Sequence, residues 1–365
     1  MARQAALMGS HARPAAVDWK KMAARARSMH RARAVALYAF LIAVSLPIIL
    51  PYFWLVTIAF SAKAGVAETM VLWRSMLVLV PAVIAFWLAA MLARNRLRMW
   101  LGMAAIALAA AGAFTLLVGP DLHLRNFIFL MEPDFASVER SRVGAVRGAV
   151  QFPNVWHAFG NSLLIAGAQT VIVVTVASLA AYYLSRWQFP GRAAMLRSLL
   201  VLHAFPVLTL VVPMFLMLYW IGLLDTLFGV ILVLVAFELP FAIFILKGFF
   251  DAVPWDIEMS ALTDGASRRQ AFLQVVLPQV RNGLLAISVF TFIRGWEEYI
   301  FVFTFLIRNT NWTMSLYMYY VRDDVMGVDY GVVSAVGVFY LVPSLILYVA
   351  AQRYLMQMSI GGVKG

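Results

Sequence analysis

Three carboxylates fall inside long apolar segments of the 365-residue chain, where an ionisable side chain is costly. Glu238 lies in the middle of one such segment, and Glu297 and Glu298 follow Trp296 in another. Intramembrane carboxylates usually face a bundle interior or a water-filled cavity, where their oxygens can accept hydrogen bonds. We therefore expect Glu238, Trp296, Glu297, Glu298 and Tyr299 to line a solute pathway. The alternative is that each carboxylate makes only a structural hydrogen bond to a neighbouring helix or subunit.

The chain offers no recognisable residues for enzymatic chemistry. It contains no cysteine, and its five histidines lack the spacing of metal ligands. No Gly-x-x-x-x-Gly-Lys-Ser/Thr phosphate loop is present. We therefore expect no enzymatic activity, no cofactor and no metal site in this chain.

A polar segment at 254–278 separates two apolar ones and has a helical pattern. Pro254 suits a first helical turn, and Asp256 and Glu258 place negative charge where the helix dipole favours it. These features predict a short helix over about 254–263, which Gly265 can end in a left-handed conformation. Its apolar residues Trp255, Met259 and Leu262 share one face.

A second helix follows directly. Ser267 and Gln270 have the spacing of a capping box, which predicts that this helix begins at Ser267. Pro278 is expected to interrupt it. Two short helices at a membrane surface are a suitable docking element for another protein, although an amphipathic helix lying in the lipid headgroups has a similar pattern.

The segment resembles the coupling loop of permease subunits of ATP-binding-cassette importers. That motif reads Glu-Ala-Ala, three residues, Gly, nine residues, Ile-x-Leu-Pro, and here Gly265, Val275, Leu277 and Pro278 have the matching spacing. Met259-Ser260-Ala261 replaces Glu-Ala-Ala, with Glu258 directly before it. Asp264-Gly265-Ala266 keeps the Asp-Gly-Ala that is typical of sugar importers.

Further segments extend the likeness to the second permease subunit of maltose-type carbohydrate importers, over roughly residues 35–60 and 153–365. They are Asn161-Ser162-Leu163-Leu164, Leu179-Ala180-Ala181-Tyr182, Phe189-Pro190-Gly191-Arg192, Gly222-Leu223-Leu224-Asp225-Thr226, Leu239-Pro240-Phe241 and Gly361-Gly362-Val363-Lys364-Gly365.

The resemblance implies that the segment couples the chain to an ATPase. The residues implied are Trp255, Asp256, Glu258, Met259, Ser260, Ala261, Leu262, Asp264, Gly265, Leu277 and Pro278. In this interpretation Trp255, Met259 and Leu262 fill an apolar cleft of the ATPase. Asp256, Glu258 and Asp264 would meet basic groups around that cleft.

The resemblance also implies a set of partners. These are a second, different permease, two ATPase subunits that bind ATP and Mg²⁺, and an external substrate-binding protein for a sugar or polyol-like solute. The alternative from another class is an ion-coupled secondary transporter, in which Glu238, Glu297 and Glu298 would carry protons.

The composition predicts an all-α, polytopic transmembrane bundle. Hydrophobic residues make up 64% of the chain, charged residues 13%, and the mean hydropathy is +0.86. We expect about eight spans, at about 35–60, 70–93, 99–119, 158–184, 198–222, 226–250, 283–307 and 332–355. The resembling subunits have six spans, so two of the eight form an extra hairpin. The predicted organisation is a basic tail at 1–34, a first span at 35–60, the extra hairpin at 61–119, an external loop at 120–157, and a permease core at 158–365 with its coupling loop at 251–281. The hairpin is expected either to pack on the core and lipid or to contact an accessory protein.

The net charge of +12 indicates topology rather than nucleic-acid binding. The arginines alternate with apolar spans and do not gather in one patch. By the positive-inside rule, the basic tail, Arg94–Arg98, Arg186–Arg197, the coupling loop and the C-terminus lie in the cytoplasm. We therefore expect a multi-pass protein of the bacterial inner membrane with both termini cytoplasmic, which contacts lipid and no nucleic acid.

Overall fold

The computed structural model describes residues 19–61, 66–92, 96–131, 153–204, 206–322 and 330–361. Within these residues the regular elements are helices, apart from one isolated antiparallel bridge between Ser61 and Leu122. The helices are α1 (Trp19–Ala59), α2 (Val66–Leu92), α3 (Arg96–Leu117), α4 (Val155–Arg186), α5 (Arg192–His203), α6 (Val211–Trp220), α7 (Leu227–Asp251), α8 (Trp255–Thr263), α9 (Arg268–Gln279), α10 (Arg281–Glu297), α11 (Ile300–Phe305), α12 (Met314–Arg322) and α13 (Tyr330–Gly361). Short 3₁₀ turns lie at Gly119–Asp121, Arg125–Leu130, Val207–Leu210 and Asn309–Asn311.

The all-α, membrane-spanning class is confirmed, with fewer clear spans than the eight expected. Among the described residues, four helical stretches are long and apolar enough to cross a membrane, and up to seven spans result if each of three bent pairs counts as one. The stretch Trp73–Ala89 in α2 is apolar but shorter. The clear four are Met99–Leu117, Val155–Arg186, Leu227–Asp251 and Tyr330–Gln352.

Two expected spans are interrupted. In the segment expected at 198–222, α5 ends at His203 and the chain turns by 90° before it continues through Val207–Trp220, with Pro206 at the turn. In the segment expected at 283–307, α10 ends at Glu297 and α11 begins at Ile300. Glu298 between them has an extended backbone, with ψ of 123°.

The contacts of the described residues divide into a first unit that ends at Trp54 and a second that begins at Leu55. In the second unit, α4 packs along α7 and α10, and α10 also packs on α13. The largest fully buried side chains of this core include Trp296, Phe250, Phe301 and Leu246.

Helices α4 and α10 approach closely at a glycine. A Cβ atom at Gly295 would lie 2.4 Å from Oε1 of Gln169 and 3.0 Å from Cα of Ala166. Small residues at such positions let two membrane helices pack backbone against backbone. Gly295 therefore sets the distance between these two helices, two residues before α10 ends.

The extra hairpin corresponds to α2 and α3, which pack on each other. An exposed ion pair of 2.8 Å joins Arg74 of α2 to Asp121 in the turn after α3. The next residues are not a free external loop, because Phe129 is buried in the core and the Asn126 amide donates to the carbonyls of Ala59 and Ser61 at 3.0 and 2.7 Å. Much of the expected basic tail, of the external loop and of the Arg94–Arg98 hairpin lies outside the described residues, as do residues 362–365.

Candidate coupling segment and mid-span cluster

The local predictions for the coupling segment are confirmed. Helix α8 begins at Trp255, directly after Pro254, and ends at Thr263. Gly265 has φ of 89°, in the left-handed region where glycine carries no Cβ penalty. Ser267 and Gln270 form the reciprocal capping box that opens α9. These features depend on residues close in sequence, so the sequence pattern was sufficient to predict them.

Helix α9 differs from the expected regular helix. Its middle, Ala271–Val276, is π-helical, and Leu277 and Pro278 continue the helix to Gln279. The chain then turns by 74° into α10. Phe272 and Val276 are buried, so the π-helical turn keeps two apolar side chains in the core while the backbone changes direction.

One side of α8 is open. Trp255 is 46% exposed and Met259 is 41% exposed, whereas Leu262 on the same face is half-buried. The carboxylates of Asp256 and Asp264 are exposed as well. This side of the helix therefore presents apolar and acidic groups together, as a docking surface requires.

Glu258 is buried within the same chain, which differs from the expected contact with basic groups of a partner. Its side chain is only 4% exposed. Oε1 accepts a hydrogen bond of 2.5 Å from the Tyr182 hydroxyl, and Oε2 accepts one of 2.8 Å from Nε of Arg186. Burial of an ionised carboxylate is costly unless it is paired with a positive charge. Here the positive charge is that of Arg186 at the end of α4, in the same chain.

The surroundings of this pair are aromatic. The Tyr182 ring lies 4.5 Å from that of Phe272 in α9 and 5.8 Å from that of Phe250 in α7, between centroids. The Arg186 guanidinium lies 5.4 Å from the Trp255 ring centroid and also donates to the Val253 carbonyl at 3.1 Å. We call the group Tyr182, Arg186, Val253, Trp255 and Glu258 the α4–α8 joint.

Trp296 is buried, which differs from the expected position in a solute pathway. Its ring is stacked on that of Tyr340, with 5.6 Å between centroids and an angle of 29° between planes, and its Nε1 donates to the Tyr340 carbonyl at 3.2 Å. The Tyr340 hydroxyl donates back to the Trp296 carbonyl at 2.9 Å. Because its ring is 1% exposed, Trp296 here joins α10 to α13 and has no free face for a sugar.

Glu297 and Glu298 have different environments. Glu297 is exposed at the end of α10. Glu298 is half-buried, and its Oε1 accepts a hydrogen bond of 2.9 Å from the Phe301 backbone amide, as a cap on α11. The capping contact also explains the break in the span, because a side-chain acceptor replaces the carbonyl that a continuous helix would supply.

Arg294 is a site residue that the sequence reasoning missed. It lies on α10, one turn before Glu298, and its charge interacts with those of Glu238 and Glu298. Arg294 is exposed and Glu238 is half-buried. An arginine inside an apolar segment was the available signal. We call Glu238, Arg294, Glu297 and Glu298 the mid-span cluster, and Tyr299 beside it is half-buried against the rings of Phe303 and Tyr319.

A second ion pair connects the turn before α7 to the segment after α11. Asp225 has φ of 57°, and its Oδ1 accepts hydrogen bonds from the backbone amides of Ile307 and Arg308 at 2.9 and 3.1 Å. Its Oδ2 pairs with Nε of Arg308 at 2.5 Å, and Asn311 also donates to Oδ1 at 3.1 Å. Burial opposes ionisation, but these donors lower the pKa of Asp225 below its usual value. We call these residues the Asp225 clamp.

Residues 162–357, which include the α8–α9 segment, the mid-span cluster and the Asp225 clamp, match the family described as the inner membrane component of binding-protein-dependent transport systems. The chain belongs to this family. The matched region begins after the α2–α3 hairpin.

Among curated relatives, the chain is similar to the diacetylchitobiose uptake system permease protein NgcG of Streptomyces coelicolor. The identity is 36%, over 55% of this chain and 67% of the relative. It is also similar to the inner membrane ABC transporter permease protein YcjP of Escherichia coli, at 33% identity over 59% of this chain and 76% of the relative. A solved bacterial ABC transporter involved in the import of the acidic polysaccharide alginate shares the fold, with a TM-score of 0.60, 17% identity, and coverage of 90% of this chain and 96% of that chain.

The family membership defines the role of the chain. It is a multi-pass inner-membrane permease subunit of an ABC importer, and it is a transport subunit rather than an enzyme. Such a permease functions with a second permease, an ATPase and a substrate-binding protein. The ion-coupled secondary transporter considered as an alternative has no support from these matches.

Proposed function

We propose that this permease imports a sugar or polyol-like solute. The named solutes of its relatives support this class: NgcG belongs to a diacetylchitobiose uptake system, and the relative SugB of Mycobacterium tuberculosis belongs to a trehalose transport system. An external substrate-binding protein delivers the solute, and a second, different permease forms the other half of the pathway. Both termini of this chain lie in the cytoplasm, its apolar flanks contact lipid, and it binds no nucleic acid.

Helix α8 is the docking element for one of two ATPase subunits, which bind ATP and Mg²⁺. The observation that supports this most directly is the exposure of large apolar residues on α8. Trp255 and Met259 are exposed, whereas the neighbouring Glu258 is buried against α4 and anchors the helix there. Exposed aromatic and methionine side chains commonly provide the binding energy at protein interfaces.

The mid-span cluster lines the solute pathway. Arg294 and Glu297 are exposed on the isolated chain, in the last turn of α10 and within the apolar segment expected at 283–307. Charged groups within such a segment face a watery cavity or another subunit rather than hydrocarbon. Carboxylates and a guanidinium together can donate to and accept from the hydroxyl groups of a polyol.

Uptake by the complete importer in proteoliposomes tests the energy source. With external binding protein and labelled trehalose or diacetylchitobiose as the probe, we expect uptake only when ATP and Mg²⁺ are supplied on the ATPase side. Uptake driven by a proton gradient in the absence of ATP would contradict the proposal and favour the ion-coupled alternative.

Met259→Asp tests the docking surface, because it adds a charge to the exposed side of α8 without touching Glu258. We expect this variant to copurify less ATPase than the parent, whereas Gln188→Asp, which adds the same charge at an exposed position between α4 and α5, serves as the control. Equal ATPase recovery with Met259→Asp and the parent would contradict docking through α8.

The two adjacent glutamates provide a test of the pathway. Glu297→Gln keeps a hydrogen-bonding group at an exposed position, so we expect full assembly and lower uptake per complex. Glu298→Gln keeps an acceptor oxygen for the Phe301 amide but removes its charge, so we expect a somewhat smaller amount of assembled complex, with a cost of about 1 kcal/mol. Parental assembly and parental uptake in both variants would assign the pathway to the partner permease.

A further inference from the structure

Both oxygens of the Glu258 carboxylate in α8 accept hydrogen bonds from one helix, α4. Tyr182 and Arg186 are four residues apart, on the same face of the last turns of α4. Each binds a different oxygen of Glu258, at 2.5 and 2.8 Å. A carboxylate held through both oxygens has a defined orientation as well as a defined position.

Arg186 extends this contact over the beginning of α8. It donates to the Val253 carbonyl directly before the helix and lies over the ring of Trp255 in the first turn. One guanidinium therefore contacts the chain at three points separated by two and three residues. The side chains of Arg186 and Glu258 are 5% and 4% exposed, so water does not compete for these bonds.

This geometry opposes rotation and sliding of α8 relative to α4. Either movement would leave a charged group buried without a partner, which is strongly unfavourable. Movement of the two helices together keeps all of these contacts. Since α4 packs along α7 and α10, such a movement reaches the helix that carries Arg294 and Glu297 of the mid-span cluster.

We propose that Tyr182 and Arg186 are positioning residues for energy coupling, which hold Glu258 so that displacement of α8 is transmitted to α4 as a rigid unit. This inference rests on the proposed docking of an ATPase on the exposed side of α8. The joint is the point at which a movement outside the bundle enters the membrane spans. Without it, α8 would move with the ATPase while α4 remained in place.

Spin-label distances in the assembled importer test the inference directly, because the chain contains no cysteine that would compete for labelling. Thr263→Cys on α8 and Val171→Cys on α4 place the labels at exposed positions. The test variants are Tyr182→Phe, which removes one hydroxyl and keeps the ring, and Glu258→Gln, which removes the charge. Tyr183→Phe, at the exposed neighbouring tyrosine, is the matched control.

In the parent and in Tyr183→Phe we expect the same narrow distance distribution without nucleotide and with ATP and vanadate. In both test variants we expect a broader distribution at unchanged ATPase recovery. Stimulation of ATP hydrolysis by the external binding protein should fall by roughly fivefold or more, the lower end of typical coupling energies. If the contact were only structural, the variants would lower the amount of assembled complex but would not change the stimulation of ATP hydrolysis per complex.

Narrow distributions and parental stimulation in both Tyr182→Phe and Glu258→Gln would overturn the inference. Met259→Asp, measured in the same assay, separates this failure from failure of the proposed docking. If Met259→Asp loses ATPase and the two joint variants resemble the parent, only the role of the joint is wrong. If Met259→Asp itself retains ATPase and stimulation, the docking proposal is wrong.

Discussion

Two ion pairs join distant parts of the core and differ in burial. Arg186 and Glu258 are 72 residues apart, and Arg308 and Asp225 are 83 apart. In the α4–α8 joint both side chains are nearly inaccessible, at 5% and 4% exposure. In the Asp225 clamp the arginine is 68% exposed and the aspartate 16%. The two pairs have similar geometry, so the difference in solvent access determines how much each ion pair contributes to the stability of the fold.

The comparison shows that the charges serve different purposes. In the joint, the charge pair itself is the contact between α4 and α8, and loss of one member leaves the other buried and unpaired. In the clamp, Asp225 mainly accepts hydrogen bonds from the backbone amides of Ile307 and Arg308. The arginine charge is in water, where an ion pair contributes little.

The largest expected effect comes from removing one member of the buried pair. Glu258→Ala leaves Arg186 buried without its carboxylate and should destabilise the assembled permease by about 3–5 kcal/mol, measured as a lower midpoint of thermal unfolding. The double variant with Arg186→Met and Glu258→Leu replaces both charges by apolar groups and should recover most of that loss. A double variant as unstable as Glu258→Ala would show that packing, rather than the unpaired charge, determines the cost.

Removal of the Asp225 carboxylate should have an intermediate effect. Asp225→Ala deletes the acceptor for two backbone amides and places alanine at φ of 57°, so we expect a loss of about 1–3 kcal/mol. Asp225→Asn keeps an acceptor oxygen and tolerates the left-handed backbone, and should lose less. If the two variants are equally unstable, the charge of Asp225 matters more than its acceptor role.

The coupling segment was predictable because its signals are local. The start of α8 after Pro254, the left-handed Gly265 and the capping box of Ser267 and Gln270 each depend on residues no more than a few positions apart. The spacing to Leu277 and Pro278 then indicated the family. Helical periodicity and apolar segments similarly predicted an all-α membrane protein.

The features that the sequence did not reveal depend on distant partners. Glu258 was expected to face outward, since nothing near it in sequence indicates that Arg186 pairs with it. Trp296 was expected in the pathway. Its burial against Tyr340 was not foreseen, because Tyr340 lies 44 residues later in the sequence. The break at Glu298 depends on a side-chain cap that competes with the helix, which apolar periodicity does not report. Within the described residues up to seven spans are counted where eight were expected, since hydropathy does not report the bends in three of them or the shortness of the apolar stretch Trp73–Ala89.

Acidification should affect the clamp in a defined direction. The pKa of Asp225 is lowered from its usual value of 3.8, so ionised Asp225 contributes stability that is present above that value and is lost as the pH falls through the lower folded-state pKa. We expect the stability difference between the parent and Asp225→Asn to be constant above about pH 5 and to narrow in more acidic solution. A difference that persists at the lowest pH at which the complex stays folded would contradict the lowered pKa. Thermal unfolding midpoints of the parent and of Asp225→Asn, measured at the same series of pH values, would give this stability difference.

The smallest effect is expected from the exposed arginine of the clamp. Arg308→Met removes the charge and keeps the apolar stem, while the backbone amide of residue 308 can still donate to Asp225. We therefore expect a loss of about 0–1 kcal/mol, and high salt should abolish it by screening the exposed pair in the parent. The stability loss predicted for Glu258→Ala should persist in high salt, because ions do not reach the buried pair. Unfolding midpoints of the parent and both variants, each at low and high salt, provide the measurement. A salt-resistant loss in Arg308→Met would show that the clamp, despite its exposure, functions like the α4–α8 joint.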